Sequence, residues 1–558
     1  MTDSATGRND RTEFLPKLVT VWREGYGTAD LRADVMAGLT VAVVALPLSM
    51  AIAIASGVGP ERGLYTAIVG GFLVSALGGS RYQVGGPAGA FIVLVSACMM
   101  AVGLEGLILA TFLSGFVLIA AGALRLGTYI RYIPYPVTVG FTAGIAVIIF
   151  ASQLREMFGL TLPGAEPAEI LHKLAALYAA KGTVTPAAVA VAGFTAAAIL
   201  ALRRWRPHWP GMLVAVTAAS TLVAVLGLEV ATIGSRFGDL PHLLPRPALP
   251  DISLSALQAA LPWALSFALL GAIESLLSAV VADGMSGARH RSNAELVAQG
   301  LANIGSALFG GFCVTGTIAR TATNVRAGSR GPVSGMLHAV FLLGFMLIAA
   351  PLAGYIPLAA LAGVLAVVAW GMAERHEFAS LLRSSRGDAL VVSVTFLLVV
   401  FRDLTEGIIV GFALAGIVFL RRMTETVEMS EAAERLGEDS VRADRVVYYL
   451  RGPYFFGAAA QMGGVLERIA EAPRALVLDM SEVPLIDSSG ARSFQGLARR
   501  AVRRGGRLYL VGLRPTLRRQ LEAQGIGAPD VRFAADVAEV DASLDATQPG
   551  GESRLAQS

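Results

Sequence analysis

Glu274 stands in the run Leu269-Leu-Gly-Ala-Ile-Glu-Ser-Leu-Leu-Ser278, with no other charge for many residues on its N-terminal side. A carboxyl group in so apolar a stretch has two uses: coordinating a cation together with a hydroxyl, or carrying a proton. Ser278 is four residues on and shares the helix face, so Glu274 and Ser278 form a candidate coupling-ion site. Arg320 lies in a second apolar, glycine-rich region. An arginine at membrane depth is costly unless it faces a polar cavity or a partner, so it reads as the attractor of an anion. The structural alternative is that Arg320 and Glu274 pair with each other. Asp283 and Glu295 sit closer to the ends of apolar runs and read as helix-end residues.

Two glycine-rich stretches sit beside these charges: Val84-Gly-Gly-Pro-Ala-Gly-Ala90 and Gly310-Gly-Phe-Cys-Val-Thr-Gly-Thr317. If each opens a short helix ending at mid-membrane, unpaired N–H groups and two positive dipole ends converge on one point. Such a point favours an anion. Pro87 suits a first-turn position, and Ala88, Gly89 and Ala90 are small enough to let a ligand reach the backbone. Opposite them stand Gly316, Thr317 and Ile318. With Arg320, these residues are the candidate substrate site.

Other chemistries find no support. The histidines (172, 208, 242, 290, 338, 376) have no metal-ligand spacing, and there is no nucleophile elbow or P-loop. Neither a hydrolase nor an ATP-driven pump is indicated, no cofactor or metal is expected, and transport must draw on a gradient. Cys98 and Cys313 do not suggest a disulfide framework. In the tail, Ile486-Asp-Ser-Ser-Gly-Ala491 leads into a helix. Capping by Asp or Ser is the simple account, and Ser489 is a candidate regulatory phosphorylation position.

The elements that must position these residues are membrane spans. The chain has 558 residues, of which 54% are hydrophobic and 15% charged, against roughly 25% charged in soluble domains. Residues 35–422 carry about one charge in ten positions, and residues 423–558 about one in four. A membrane domain therefore ends near Arg421-Arg422 and a water-soluble domain follows. The net charge of +4 sits in the membrane part, and nothing points to nucleic acid. Residues 1–34 are polar and mixed in charge, a cytoplasmic segment without a cleavable signal.

Apolar stretches fall at 35–57, 61–79, 87–103, 106–123, 134–152, 186–202 and 211–228. A second series falls at 258–281, 293–309, 316–328, 332–353, 355–373, 387–402 and 404–420. Most arginine clusters fit inner loops if the N-terminus is cytoplasmic, which also places the tail in the cytoplasm. Seven is odd, so the second set enters with opposite orientation, the condition for an inverted repeat. The third member of each set is short and led by glycine. Interrupted segments at matching positions of two halves point to a transporter's binding site. The tail alternates strand-like runs (446–450, 475–479, 507–511) with helical spacing (458–470, 491–504), a small α/β domain. Residues after 546 are expected to be disordered.

These motifs resemble the sulfate permease family of anion transporters with a C-terminal STAS domain. The resemblance runs from about residue 30 to 545. It is carried by Glu274-Ser-Leu-Leu through Asp283, by Ala294-Glu-Leu-Val-Ala-Gln-Gly300, by Thr317-Ile-Ala-Arg-Thr-Ala-Thr-Asn-Val-Arg-Ala-Gly328, and by Asp487-Ser-Ser-Gly490 after the strand at 475–479. It implies an α-helical polytopic membrane protein with fourteen spans in a seven-plus-seven inverted repeat, shared with uracil transporters, and a cytoplasmic STAS domain at 437–545. It also implies a core of helices 1–4 and 8–11 moving against a gate of helices 5–7 and 12–14, within a homodimer. The substrate would bind between helices 3 and 10, near Ala88, Gly89, Thr317 and Ile318.

Two departures bear on the anion. Sulfate-transporting members often have glutamine after the helix-1 proline, where this chain has Leu48-Ser49. Sodium-dependent bicarbonate members have aspartate at the Glu274 position. With Ala45-Leu-Pro-Leu-Ser-Met-Ala51 and Gly271-Ala-Ile-Glu-Ser275, the chain looks closest to bacterial proton-coupled C4-dicarboxylate transporters. The expectation is therefore a secondary transporter of the bacterial inner membrane, a proton symporter of succinate, fumarate or related acids, and not an enzyme. Its partners are the anion, a proton, the bilayer, a second copy and a cytoplasmic ligand of the STAS domain. Sulfate or bicarbonate transport at the same site is the alternative, and an anion sensor signalling through the STAS domain is the alternative of another class.

Overall fold

A computed structural model describes residues 13–130, 134–164, 166–167, 169–206, 209–402, 404–425, 428–431, 442, 444–455 and 473–546. The expected helix at 458–470 and the terminal stretch from 547 on lie outside the described residues, as do residues 1–12. The chain forms two compact units, Met1–Ala413 and Leu414–Ser558.

The first unit is helical. After a short helix α1 (Lys17–Arg23), α2 (Thr28–Ala55) is the first span. The second span is assembled from α3 (Pro60–Tyr65), a π-turn (Thr66–Gly70) and α4 (Gly71–Leu77). A two-residue strand β1 (Gly85–Gly86) precedes α5 (Phe91–Ala123), which holds two spans joined at Gly103, a glycine with φ 69°. Then come α6 (Tyr135–Phe158), α7 (Pro186–Trp205) and α8 (Gly211–Leu226). The second half repeats the order. It has α9 (Leu254–Ser286), α10 (Ser292–Leu308), strand β2 (Thr315–Gly316), the short α11 (Ile318–Arg326), α12 (Val333–Ala353), α13 (Leu358–Met372), α14 (Arg386–Phe401) and α15 (Leu404–Glu425). Fourteen membrane segments result. Among the described residues, eight helices are individually long and apolar enough to cross a bilayer. The remaining segments are short continuous helices, such as α8, α10 and α14, or are interrupted, at the π-turn and at strands β1 and β2.

Packing follows the repeat. The second part of α5 lies against α9 and α10, and its counterpart α12 lies against α2 and α4. Small residues permit both approaches. A Cβ on Gly115 would meet the Gly300 carbonyl at 2.6 Å, and one on Gly335 would meet the Ser75 hydroxyl at 2.1 Å. A second group of helices packs mainly within itself, α13 and α14 against α6 and α7 against α13 and α8, and meets the first group where α13 and α8 touch α2.

The second unit contains a five-stranded sheet of β3 (Glu428–Glu431), β4 (Arg445–Arg451), β5 (Ala475–Glu482), β6 (Arg507–Val511) and β7 (Val531–Ala534), in that order. The last four strands are parallel and β3 is antiparallel. Helices α16 (Ser488–Arg503) and α17 (Pro515–Ala523) cover one face through Phe494, Leu497 and Leu517. Helix α18 (Val537–Asp545) covers the other through Val540 and Leu544. Burial on both faces explains why β5 and β6 read as continuous apolar runs. Strands β3 and β7 escape the sequence reading because they are short and carry charge.

Candidate functional site

Strands β1 and β2 pair antiparallel, Gly85 with Gly316 and Gly86 with Thr315. They bring the two broken segments to one crossing. The pairing continues where the Thr317 N–H donates to the Val84 carbonyl at 3.1 Å. Neither strand tolerates a side chain at its glycines. A Cβ on Gly316 would fall 1.6 Å from Gln83 Nε2, and one on Gly86 (φ 155°) would fall 2.0 Å from Arg320 Nη1.

The helix starts differ in detail from the sequence reading. In α5 the first turn closes with Phe91 N–H to Ala88 O and Ile92 N–H to Gly89 O, both 3.1 Å. Pro87 therefore precedes the first turn instead of occupying it. In α11 the first intrahelical bond is Thr321 N–H to Thr317 O at 2.9 Å. The donors with no intrahelical partner are those of residues 88–90 on one side and 318–320 on the other. The Thr317 N–H is already spent on Val84. Pro87, Ala88, Ala90, Gly316 and Thr317 are buried, while Gly89 and Ile318 are half-buried. A Cβ on Gly89 would meet Ile149 Cδ1 of α6 at 2.9 Å and Met372 Sδ at 3.8 Å. The crossing thus faces the second helix group.

Arg320 is buried and braces the crossing. Its guanidinium donates to the Ser49 hydroxyl at 3.0 Å, to Pro87 O at 3.3 Å and to Gly85 O at 3.5 Å. It joins α2, β1 and α11. Glu274 is also buried, on the α9 face tied to β2 through the Thr315 hydroxyl on Gly271 O at 3.3 Å. Among the described residues, no ion pair joins Glu274 and Arg320, and neither pairs with any other charge. Ser278 shares Glu274's helix face, but its hydroxyl donates to Thr321 Oγ1 at 3.1 Å, and Thr321 Oγ1 in turn accepts from Val84 N–H at 3.2 Å. That hydroxyl holds the crossing together.

Two carboxylates have larger structural parts than sequence reasoning gave them. Glu295 is fully buried and accepts from Ser80 N–H at 2.9 Å and from the Ser275 hydroxyl at 3.5 Å; Ser275 itself accepts from Gln83 Nε2 at 2.6 Å. Asp34 is fully buried as well. It accepts from the Tyr26 hydroxyl at 2.7 Å, Arg330 N–H at 2.6 Å, Gly331 N–H at 3.2 Å and the Ser329 hydroxyl at 3.2 Å. The backbone N–H groups that each accepts from, of Ser80 and of Arg330 and Gly331, lie more than two hundred residues away in the chain, so no local pattern announces them. In the second unit, the Asp487 side chain accepts from Gly490 N–H at 2.6 Å, and Ser489 is exposed in the first turn of α16. Cys98 and Cys313 are buried and free.

Residues 31–395 match the sulfate permease family, and residues 437–540 match the STAS domain. The chain belongs to the sulfate permease family. It is 41% identical to the "Putative sulfate transporter YvdB" of Bacillus subtilis (strain 168), over 90% of this chain and 95% of that one. It is 31% identical to the "Bicarbonate transporter BicA" of Picosynechococcus sp., over 88% and 90%. Murine Solute Carrier 26 family member A9, an anion transporter solved in an inward-facing state, superposes with a TM-score of 0.84 at 18% identity, covering 96% of this chain and 94% of that one. The fold is the expected helical polytopic transporter with a C-terminal STAS domain. The protein is a multi-pass anion transporter and not an enzyme. The expected likeness to C4-dicarboxylate transporters is corrected here, because these relatives carry sulfate and bicarbonate names.

Proposed function

We propose that the chain carries sulfate across the bacterial plasma membrane by alternating access, with both termini cytoplasmic and within a homodimer. The anion sits on the N–H groups of residues 88–90 and 318–320, between Pro87, Ala88, Gly89, Ala90, Gly316, Thr317 and Ile318, under the field of Arg320. The observation that carries this is the crossing of two half-helices above an arginine that no carboxylate neutralises among the described residues. A small anion there completes both. The name of the Bacillus subtilis relative supports sulfate, and that of the cyanobacterial relative supports bicarbonate as the second reading.

Glu274 carries the coupling proton in this scheme. It is a buried carboxylate without a cation partner, and the Ser278 hydroxyl is already engaged elsewhere. The extensive packing of α13 and α14 on α6, and of α7 on α13, supports a gate of α6–α8 and α13–α15 moving against a core of α2–α5 and α9–α12. Radiolabelled sulfate uptake into proteoliposomes tests the proposal, with bicarbonate and succinate as competitors. Saturable sulfate uptake stimulated by an inward proton gradient is expected. Uptake driven by sodium and competed only by bicarbonate would favour the second reading, and anion binding without uptake would indicate a sensor.

A further inference from the structure

We infer that α7 and α8 hold one anionic phospholipid, its acyl chain in a groove along α8 and its phosphate at the Arg203-Arg204-Arg206 turn. The groove is an open surface depression of about 640 Å³, with Phe194 of α7 on one side and a stripe of α8 on the other. Along that stripe Leu213, Thr217, Thr221 and Val225 recur every four residues, the spacing of one helix face. The Thr221 hydroxyl is spent on the Thr217 carbonyl at 2.9 Å, so the wall it offers is largely hydrocarbon. From Leu213 to Val225 the rise is about 18 Å. That is close to the depth of one leaflet in a hydrocarbon core about 30 Å thick.

The charge at the mouth selects the occupant. Helices α7 and α8 pack against each other and are consecutive in the chain, so Leu213, at one end of the groove, follows within ten residues of Arg203, Arg204 and Arg206, all three exposed. None of the three forms an ion pair with a described residue. Exposed Trp205 and Trp209 stand among them, as aromatic side chains do at the headgroup level. A neutral lipid would fill the groove and leave three guanidinium groups unanswered, as would a helix from a second copy. A lipid of net negative charge answers them, since its phosphate oxygens meet guanidinium in a two-point fork with no headgroup cation of its own to cancel the charge. The site is independent of which anion the protein transports.

The test uses the full chain in mild detergent, stripped of lipid, then mixed with phosphatidylglycerol or phosphatidylcholine of identical acyl chains. Bound lipid is read by native mass spectrometry. Phosphatidylglycerol should be retained at least tenfold more strongly. The combined change Arg203→Gln, Arg204→Gln and Arg206→Gln should bring it down to the phosphatidylcholine level, while Ala218→Trp should reduce retention of both lipids by filling the groove. The combined change to lysine, which preserves insertion signals and charge, should keep a preference for phosphatidylglycerol. Equal retention of the two lipids by the parent protein would overturn the inference. So would a preference that survives the glutamine changes, or an Ala218→Trp variant that loses only self-association.

Discussion

Glu274 and Arg320 are two buried charges of opposite sign that do not neutralise each other. Each unanswered charge at membrane depth costs about 3 kcal/mol or more, and in the proposed transport cycle a proton answers the carboxylate and a substrate anion the guanidinium. Glu274→Gln keeps the shape of the side chain and removes the proton site. Acid-stimulated uptake should disappear in that variant while anion binding persists, and an unchanged pH profile of uptake would take Glu274 out of the mechanism. Gly86→Ala tests the bracing of Arg320, because the added Cβ would fall 2.0 Å from its Nη1. Anion affinity should drop at least tenfold with the protein still inserted, as judged by equilibrium binding on the purified chain. Both charges are legible in the sequence because an ionisable residue inside an apolar run stands out. Ser278 is legible only as a neighbour of Glu274: periodicity places a side chain on a face but does not say which of two acceptors takes its proton. Glu295 stands in the first turn of α10, as its place near the end of an apolar run suggests, but its burial and that of Asp34 escape the sequence because charge near the end of a run is ordinarily solvated.

The broken segments show the same limit at the scale of elements. Their shortness, glycine content and matching third positions are visible in the chain, and so is the candidate site at their crossing. Their two-residue pairing, Gly85 with Gly316 and Gly86 with Thr315, is not, since a β-ladder of this length has no periodicity to detect. The consequence is chemical, because it removes the Thr317 N–H from the pool available to a ligand and shifts the donors one residue into α11. If backbone donors hold the anion, added volume should matter more than added polarity. Gly89→Leu would push against Ile149 and Met372 at the interface of the two helix groups, and Thr317→Leu would fill the other side. Each should abolish measurable anion binding, whereas Ala88→Ser should stay within a few-fold of the parent. Arg320→Ala should weaken affinity through the lost charge. Tight binding in both leucine variants would place the site elsewhere.

For the whole molecule, the sharp rise in charge after residue 422 makes the soluble domain legible, and the parallel sheet follows from its apolar strands. Its interior also gives a pH signature. Tyr454 stacks on Phe494 with ring centroids 4.9 Å apart, and burial pushes its phenol up to about 12 from an ordinary value near 10. A group whose folded pKa is raised stabilises the fold below its unfolded pKa and loses that contribution as pH climbs through the folded one. Stability of this domain should therefore fall between about pH 10 and 12. Tyr454→Phe should flatten that fall, followed by phenolate absorbance and circular dichroism.

Removing the domain asks which unit owns the anion. Every group assigned to the site, from Ser49 to Arg320, lies in Met1–Ala413, and so does every membrane segment but the last, α15, which continues past Ala413. A chain ending after Met423 keeps those segments but for the last two residues of α15, so it should still insert. Its transport rate or assembly should decline, because an intact STAS domain accompanies the fold in this family. The order of preference among sulfate, bicarbonate and succinate should nevertheless stay the same, measured as competition against labelled sulfate in proteoliposomes containing equal amounts of inserted protein. A reordered preference would mean that residues beyond 423 shape the cavity. The anion would then be read by side chains outside the crossing, and backbone donors alone would no longer account for selectivity.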